Sequence, residues 1–259
     1  MSCYRGGVAL PENDPDWSNL SQAYGPAGDI PELLDRMVCD AGDPVWHDLF
    51  SCLCHQGTVY SASFPALPVM LAFARTCPSS ERTAPLDLAG AIWSSDDVKG
   101  NRDELASGLA QVIGDLESLS DEALASDAVP RLDRIYLLQA ACAFKGADAW
   151  GRLLDHMADG EFPAKCPECD AEFAAVVGKY GTFVSGFDWL EQAQANRQPI
   201  EPADATRLDV IGTWMAHMAG ATGDTELAFW IRCLFGSALC PECGAEIALE
   251  TAIRRYCEN

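Results

Sequence analysis

The chain has 259 residues, with 39 Asp and Glu against 17 Lys and Arg, for a formal net charge of −22. A chain of this length buries roughly 70–75% of its unfolded surface and needs no added staples to fold, and 49% hydrophobic with 22% charged residues is ordinary globular composition. The acidity excludes a general attraction to nucleic acid or anionic lipid, which both rely on Lys and Arg meeting phosphate, and it favours basic partners.

Residues 1–28 hold Pro11, Pro15, Gly25, Pro26 and Gly28 with no steady period, which predicts an irregular N-terminal arm. Its start, Met1 to Leu10, gives way to polar residues at Glu12-Asn13-Asp14, without the apolar core of a signal peptide. No later run reaches the 18 apolar residues of a membrane span, so the expectation is a cytoplasmic protein. Asp29 is placed to cap a first helix, with Pro31 in its first turn and Leu33, Leu34, Met37 and Val38 on one face. Asp43-Pro44 starts a second, with Val45, Trp46, Leu49, Phe50 and Leu53 apolar and Gly57 closing it. Residues 58–76 read as a third helix kinked near Pro65 and Pro68, and Leu86 to Trp93 as a short one. The spacing of Leu105, Leu109, Val112, Ile113 and Leu116 predicts a helix over 101–117, and the same pattern recurs over 131–144 and 147–158. Helices in succession, joined by short Asp/Pro/Gly turns, predict a helical array over 29–159.

The segment 160–259 is less regular. Helices are expected at about 205–219 and 224–237, with short strands at Thr182-Phe183-Val184 and after each of two cysteine knuckles. Residues 170–200 look irregular, and 196–204, with Pro199 and Pro202, looks like a linker. The segment is expected to pack on the array rather than to stand as an independent domain.

Cys166-Pro167-Glu168-Cys169-Asp170-Ala171-Glu172-Phe173 and Cys240-Pro241-Glu242-Cys243-Gly244-Ala245-Glu246-Ile247 are nearly the same octapeptide. Each follows a helix with a His-Met pair, at 156–157 and 217–218. The tight turn of a Cys-x-x-Cys knuckle puts two thiolates on one side of the backbone; Pro fixes the turn and Gly244 tolerates positive φ. Two knuckles make four sulfurs, so Cys166, Cys169, Cys240 and Cys243 are expected to hold a structural zinc in a closed shell. The gap of 70 residues leaves open whether the knuckles share an ion within one chain or across two. One Cys-Pro-x-Cys alone also resembles a glutaredoxin site, but that site follows a strand and opens a helix. Leu153 to Gly160 reads instead as a helix end.

Other clusters have plainer readings. Cys52, Cys54 and His55 lie close in sequence, yet show no fourth ligand and read as a helix end feeding Gly57. The remaining cysteines (Cys3, Cys39, Cys77, Cys142, Cys233 and Cys257) read mostly as reduced core filler. The histidines, His47, His55, His156 and His217, form no His-Glu-x-x-His helix, and no nucleophile elbow, P-loop or dinucleotide fingerprint occurs. The His-Met pairs suit packing beside the knuckles. The acidic pairs Asp96-Asp97, Asp103-Glu104 and Asp121-Glu122 fall near expected helix starts, where the dipole favours them.

Tyr24-Gly25-Pro26-Ala27-Gly28-Asp29-Ile30-Pro31-Glu32-Leu33-Leu34, with His55 to Ala62 and Ala66-Leu67-Pro68, resembles the start of a group of bacterial HEAT-repeat proteins, common in actinobacteria and mostly of unassigned function. The resemblance implies a mainly α fold, an irregular HEAT-like α-solenoid with a zinc-stapled C-terminal half, and the binding of another macromolecule across an extended face. Together with the charge, it leads us to expect a non-catalytic protein-binding protein. One form is an immunity or inhibitor protein capping a basic toxin or nuclease; a general adaptor or scaffold is the plainer form. An enzyme with an unrecognised site between helices is the alternative.

Overall fold

The computed structural model describes residues 15–186 and 196–257. The chain divides into two compact units, Met1–Arg152 and Leu153–Asn259, and the described residues hold four β-sheets of two to four strands beside the helices. The architecture is mixed α and β, which corrects the mainly α, HEAT-like solenoid. Most of the strands are too short for an alternation to register. The longest, Glu172–Gly178, is buried from Phe173 onward, so it reads as one apolar run.

In the first unit, the described part of the expected arm is structured. Asp16 caps a 3-10 turn at Trp17–Asn19, and Ser21–Gln22 pairs with Gly25–Pro26; residues 1–14 of the arm lie outside the described residues. Helix Ile30–Asp35 follows Asp29, which makes no side-chain cap bond. Helix Pro44–Leu53 starts on Asp43, whose carboxylate accepts from the Val45 amide at 2.9 Å. The helix expected over 58–76 runs only from Ser63 to Ala74, with Pro68 inside it. The residues before it form a hairpin, Cys54–His55 against Thr58–Val59. Gln56 and Gly57 turn it with φ of 50° and 83°, a two-residue turn whose twist suits paired strands. Asp97–Val98 adds a parallel strand. The helix expected over 101–117 is two, Arg102–Leu105 and Ala110–Leu124, parted by Gly108 at φ 81°. The stretch 147–158 also divides, into Asp148–Leu153 and His156–Asp159, whereas Arg131–Phe144 runs as its spacing predicts.

Helix Thr83–Ser94 packs on Arg131–Phe144 at the centre of this unit, with Ser63–Ala74 and Ala110–Leu124 against them. The central pair meets through small residues. A Cβ on Gly90 would lie 2.6 Å from the Ala140 Cα and 2.8 Å from its Cβ. Gly90→Leu is expected to cost about 3 kcal/mol, since it must push two backbones apart. A urea midpoint equal to that of the native chain would contradict the close approach. Arg134 is buried at 3% exposure and donates to the carbonyls of Leu124, Ser126 and Val129. The negative end of Ala110–Leu124 thus satisfies a buried cation.

Cys39 and Cys77 form a disulfide, which corrects their reading as reduced filler. Both sit in turns just beyond a helix end rather than on an apolar helix face. Cys52, Cys54, Cys142 and Cys233 are buried and outside any disulfide. Cys3 and the side chain of Cys257 lie outside the described residues.

In the second unit an antiparallel sheet runs Glu161–Lys165, Glu172–Gly178, Gly181–Ser185, Gln198–Pro199 in that order. The stretch expected to be irregular over 170–200 is therefore largely sheet where it is described; residues 187–195 lie outside the described residues. The expected linker pairs at Gln198–Pro199 and bridges Glu201 to Ser237. Helices Val210–Ala221 and Thr225–Leu234 pack together, capped by Asp209 on the Gly212 amide and Asp224 on the Leu227 amide. A second hairpin, Ser237–Leu239 with Glu246–Ala248, runs directly into helix Leu249–Cys257. That helix lies on Glu161–Lys165. Among the described residues, no helix is long and apolar enough to cross a membrane.

Candidate metal centre

Both Cys-Pro-Glu-Cys segments close β-hairpins. Lys165 pairs with Glu172 across one loop, and Leu239 with Glu246 across the other. The Cys166 amide donates to the Ala171 carbonyl at 2.9 Å, and the Cys240 amide to Ala245 at 2.8 Å. The Cys166 carbonyl accepts from the Asp170 amide at 3.1 Å, and the Cys240 carbonyl from Gly244 at 3.0 Å. The residue after the second cysteine is left-handed in both loops, with φ 58° at Asp170 and 72° at Gly244. Nearly identical octapeptides therefore make the same turn twice. Glycine meets the backbone requirement in one copy, and an Asp, whose short polar side chain tolerates that region, meets it in the other.

All four sulfurs lie within 4.8 Å of one another. The Cys166 and Cys243 sulfurs are 3.9 Å apart, as are those of Cys169 and Cys240. Ligands ~2.3 Å from one tetrahedral ion stand ~3.8 Å from each other, so this spacing fits a single ion. A disulfide would need ~2.05 Å. The contacts run crosswise, each joining one hairpin to the other, so the ion would lie between the hairpins of one chain.

Cys166 and Cys240 are buried while Cys169 and Cys243 are exposed. The crowded thiols work against each other. Desolvation raises Cys166, but the amides of Glu168 and Cys169 outweigh it and hold the thiol below its ordinary value. The Ala171 amide lowers Cys169, yet desolvation and the sulfurs of Cys243, Cys166 and Cys240 push it up to about 12. A bound divalent cation removes this conflict by letting the four sulfurs ionise together.

Asp170 also accepts from Arg255 at 2.8 Å, tying the first loop to the last helix, and that guanidinium holds its carboxyl below the usual range. Arg255 is the neighbour that sequence reasoning misses; its only signal is a basic residue in the last turn of an amphipathic helix. Gly244→Val is expected to weaken metal binding about tenfold, from a left-handed penalty of ~1–2 kcal/mol. Asp170→Gly is expected to change it little, because relief of the same strain offsets the loss of an exposed ion pair. Competition against a chromophoric chelator measures both, and equal losses would contradict the strain argument.

The other sequence candidates do not converge. Cys52 lies in the last turn of helix Pro44–Leu53, while Cys54 and His55 lie on the strand that follows, and these three join no metal-ligating group among the described residues. Burial pushes the Cys54 thiol up to about 11, with the Asp87 charge adding to it. The His55 Nδ1 lies 3.3 Å from the Tyr24 hydroxyl. The His-Met pairs have unlike surroundings: Met157 is buried and the His156 ring sits 5.9 Å from Phe162, whereas His217 is exposed. Asp103 and Glu104 do stand in the first turn of Arg102–Leu105. Asp97 accepts from Thr58 and Lys99, and Asp96 pairs with Arg152 at 2.8 Å. Asp121 and Glu122 correct the expectation of a helix start: they lie in the last turn of Ala110–Leu124, where they reach Lys145 and Arg82.

No family model, curated protein or solved structure matches the chain. The arrangement of the four thiols is what remains to reason from. They are donors of one kind in one closed shell, which suits holding structure rather than activating water.

Proposed function

We propose that the protein is a non-catalytic binding protein of the inhibitor or immunity type, which caps a basic partner with an acidic surface. In this reading zinc staples the unit that carries the knuckles. The all-thiolate donor set favours zinc among the ions held tetrahedrally in proteins.

The observation that carries the reading is the charge of −22 and where its counter-charges go. In the first unit Arg75, Arg82, Lys99, Lys145 and Arg152 are engaged by that unit's own carboxylates. Arg102 and Arg134 donate to backbone carbonyls. Glu32, Asp35, Asp48, Asp103 and Glu104 are exposed, and such an excess sets a negative field that steers a basic protein inward.

A cytoplasmic location belongs to the same reading on the thiol chemistry of the metal centre alone, and the Cys39–Cys77 disulfide counts against it. Affinity capture of the tagged chain from its own lysate, washed at low and high salt, tests the proposal. One stoichiometric basic protein, lost at high salt, is the expected result. A partner retained equally at both salts, or no partner, would sink electrostatic capping.

A further inference from the structure

The four thiols of the metal centre are not equivalent. Cys169 and Cys243 are exposed, while Cys166 and Cys240 are buried. The 3.9 Å contacts each join an exposed sulfur to a buried one on the other hairpin, Cys243 to Cys166 and Cys169 to Cys240. Each pair therefore offers one sulfur that a dissolved oxidant can reach and a sheltered one beside it. That is the arrangement of an attacked thiol with a resolving thiol. Cys52, Cys54, Cys142 and Cys233 are buried and join no such cluster among the described residues.

A crosswise disulfide needs its two sulfurs to close by about 1.9 Å, to the ~2.05 Å of a covalent bond. The hairpins can make that approach with both loops intact, because the bond joins two turns and closes neither. A bond inside one knuckle must instead be closed within a turn already fixed by the Cys166 amide on Ala171 and the Asp170 amide on Cys166. The first unit is joined by Cys39–Cys77, so the fold is compatible with surroundings that oxidise thiols. In such surroundings the quartet is the part of the second unit open to attack.

We propose that the quartet exchanges one staple for another. A peroxide converts its four thiolates into the crosswise disulfides Cys166–Cys243 and Cys169–Cys240, the metal leaves, and the hairpins stay joined. In each pair the exposed thiolate attacks the peroxide O–O bond; a sulfur–oxygen bond forms and hydroxide departs, leaving a sulfenic acid. The buried thiolate then attacks that sulfur, an S–S bond forms and a second hydroxide leaves. Two peroxides accept the four electrons, and four protons from solvent turn the hydroxides into water. The inference rests on the zinc-staple reading and is independent of capping.

Titration of the zinc-loaded full chain with hydrogen peroxide, a chromophoric chelator present, tests the proposal. About one zinc per chain should appear for about two peroxides consumed. Cleavage after Lys and Arg without reductant should yield residues 166–179 joined to residues 233–254, with fragmentation placing the bonds at the two crosswise pairs. The oxidised, zinc-free chain should keep its amide protection over 161–165 and 237–248, exchanging at least about tenfold more slowly than the reduced chain stripped by a chelator. Zinc retained in excess peroxide, bonds confined within each knuckle, sulfinic acids in place of disulfides, or oxidation that erases the protection would overturn the exchange and leave the zinc reading standing. Crosswise disulfides in a chain that never held zinc would overturn the zinc reading and leave the pairing standing.

Discussion

Chelation, or Cys240→Ser, is expected to empty the metal centre and unfold both hairpins of the second unit. Cys240 is only 2% exposed, and its sulfur is one side of a crosswise contact with Cys169. Serine there leaves three thiolates and an ion with an open side. The hairpin that carries Cys240 pairs only three residues per strand, Ser237–Leu239 with Glu246–Ala248, and an isolated two-stranded hairpin is marginal in water. Structural zinc contributes about 10–16 kcal/mol in small zinc domains, as much as the whole stability of an ordinary domain. Elemental analysis should find about one ion per native chain and far less in the variant. Hydrogen exchange should report lost protection over 161–165 and 237–248. Unchanged metal content and protection would refute a site shared by the two knuckles.

Removing the Cys39–Cys77 disulfide is expected to lower the stability of the first unit by about 3–4 kcal/mol, a fall in Tm of roughly 10 °C. The bridge spans 38 positions, and the loop it closes contains the helices Pro44–Leu53 and Ser63–Ala74. Most of the loss should come through the unfolded chain. The native turn keeps another tie, since Arg82 donates to the Cys77 carbonyl at 3.2 Å and pairs with Glu122 at 2.8 Å. The comparison is the native chain with and without reductant, zinc present throughout, beside a Cys39→Ala/Cys77→Ala variant. Reductant should move the native chain to the Tm of the variant and leave the variant unmoved. A native chain indifferent to reductant would mean that the bridge does not contribute. Alkylation of the thiols in freshly lysed cells bears on location too, because a fully oxidised bridge argues against a reducing compartment.

The metal centre was legible because a tight turn needs particular residues at fixed offsets, and both octapeptides carry them. The hairpins holding the turns were less so. Their paired strands are short, and Glu161–Lys165 contains Pro163, which argues against a strand when no partner is known. In the first unit, apolar spacing found Arg131–Phe144, a long helix whose packing face is continuous. It failed over 58–62 and 106–109, where Gly57 and Gly108 take positive φ and divert the backbone while apolar residues keep arriving at helical intervals. The solenoid rested on those intervals and on a resemblance, and neither registers the short sheets. Nothing local marks the disulfide, because pairing at that separation depends on how two helix ends come together.

The two halves of the metal shell are not made at the same time. Cys169 and Cys240 are 71 positions apart, and at a synthesis rate of about 5–20 residues per second the first pair of thiols leads the second by roughly 4–14 s. During that interval the nascent chain presents Cys166 and Cys169 with half a coordination sphere, open to oxidation or to a stray ion. A ribosome paused between the knuckles lengthens that exposure, whereas a pause beyond residue 243 does not. The order of synthesis therefore sets a period of chemical vulnerability that the finished protein no longer displays.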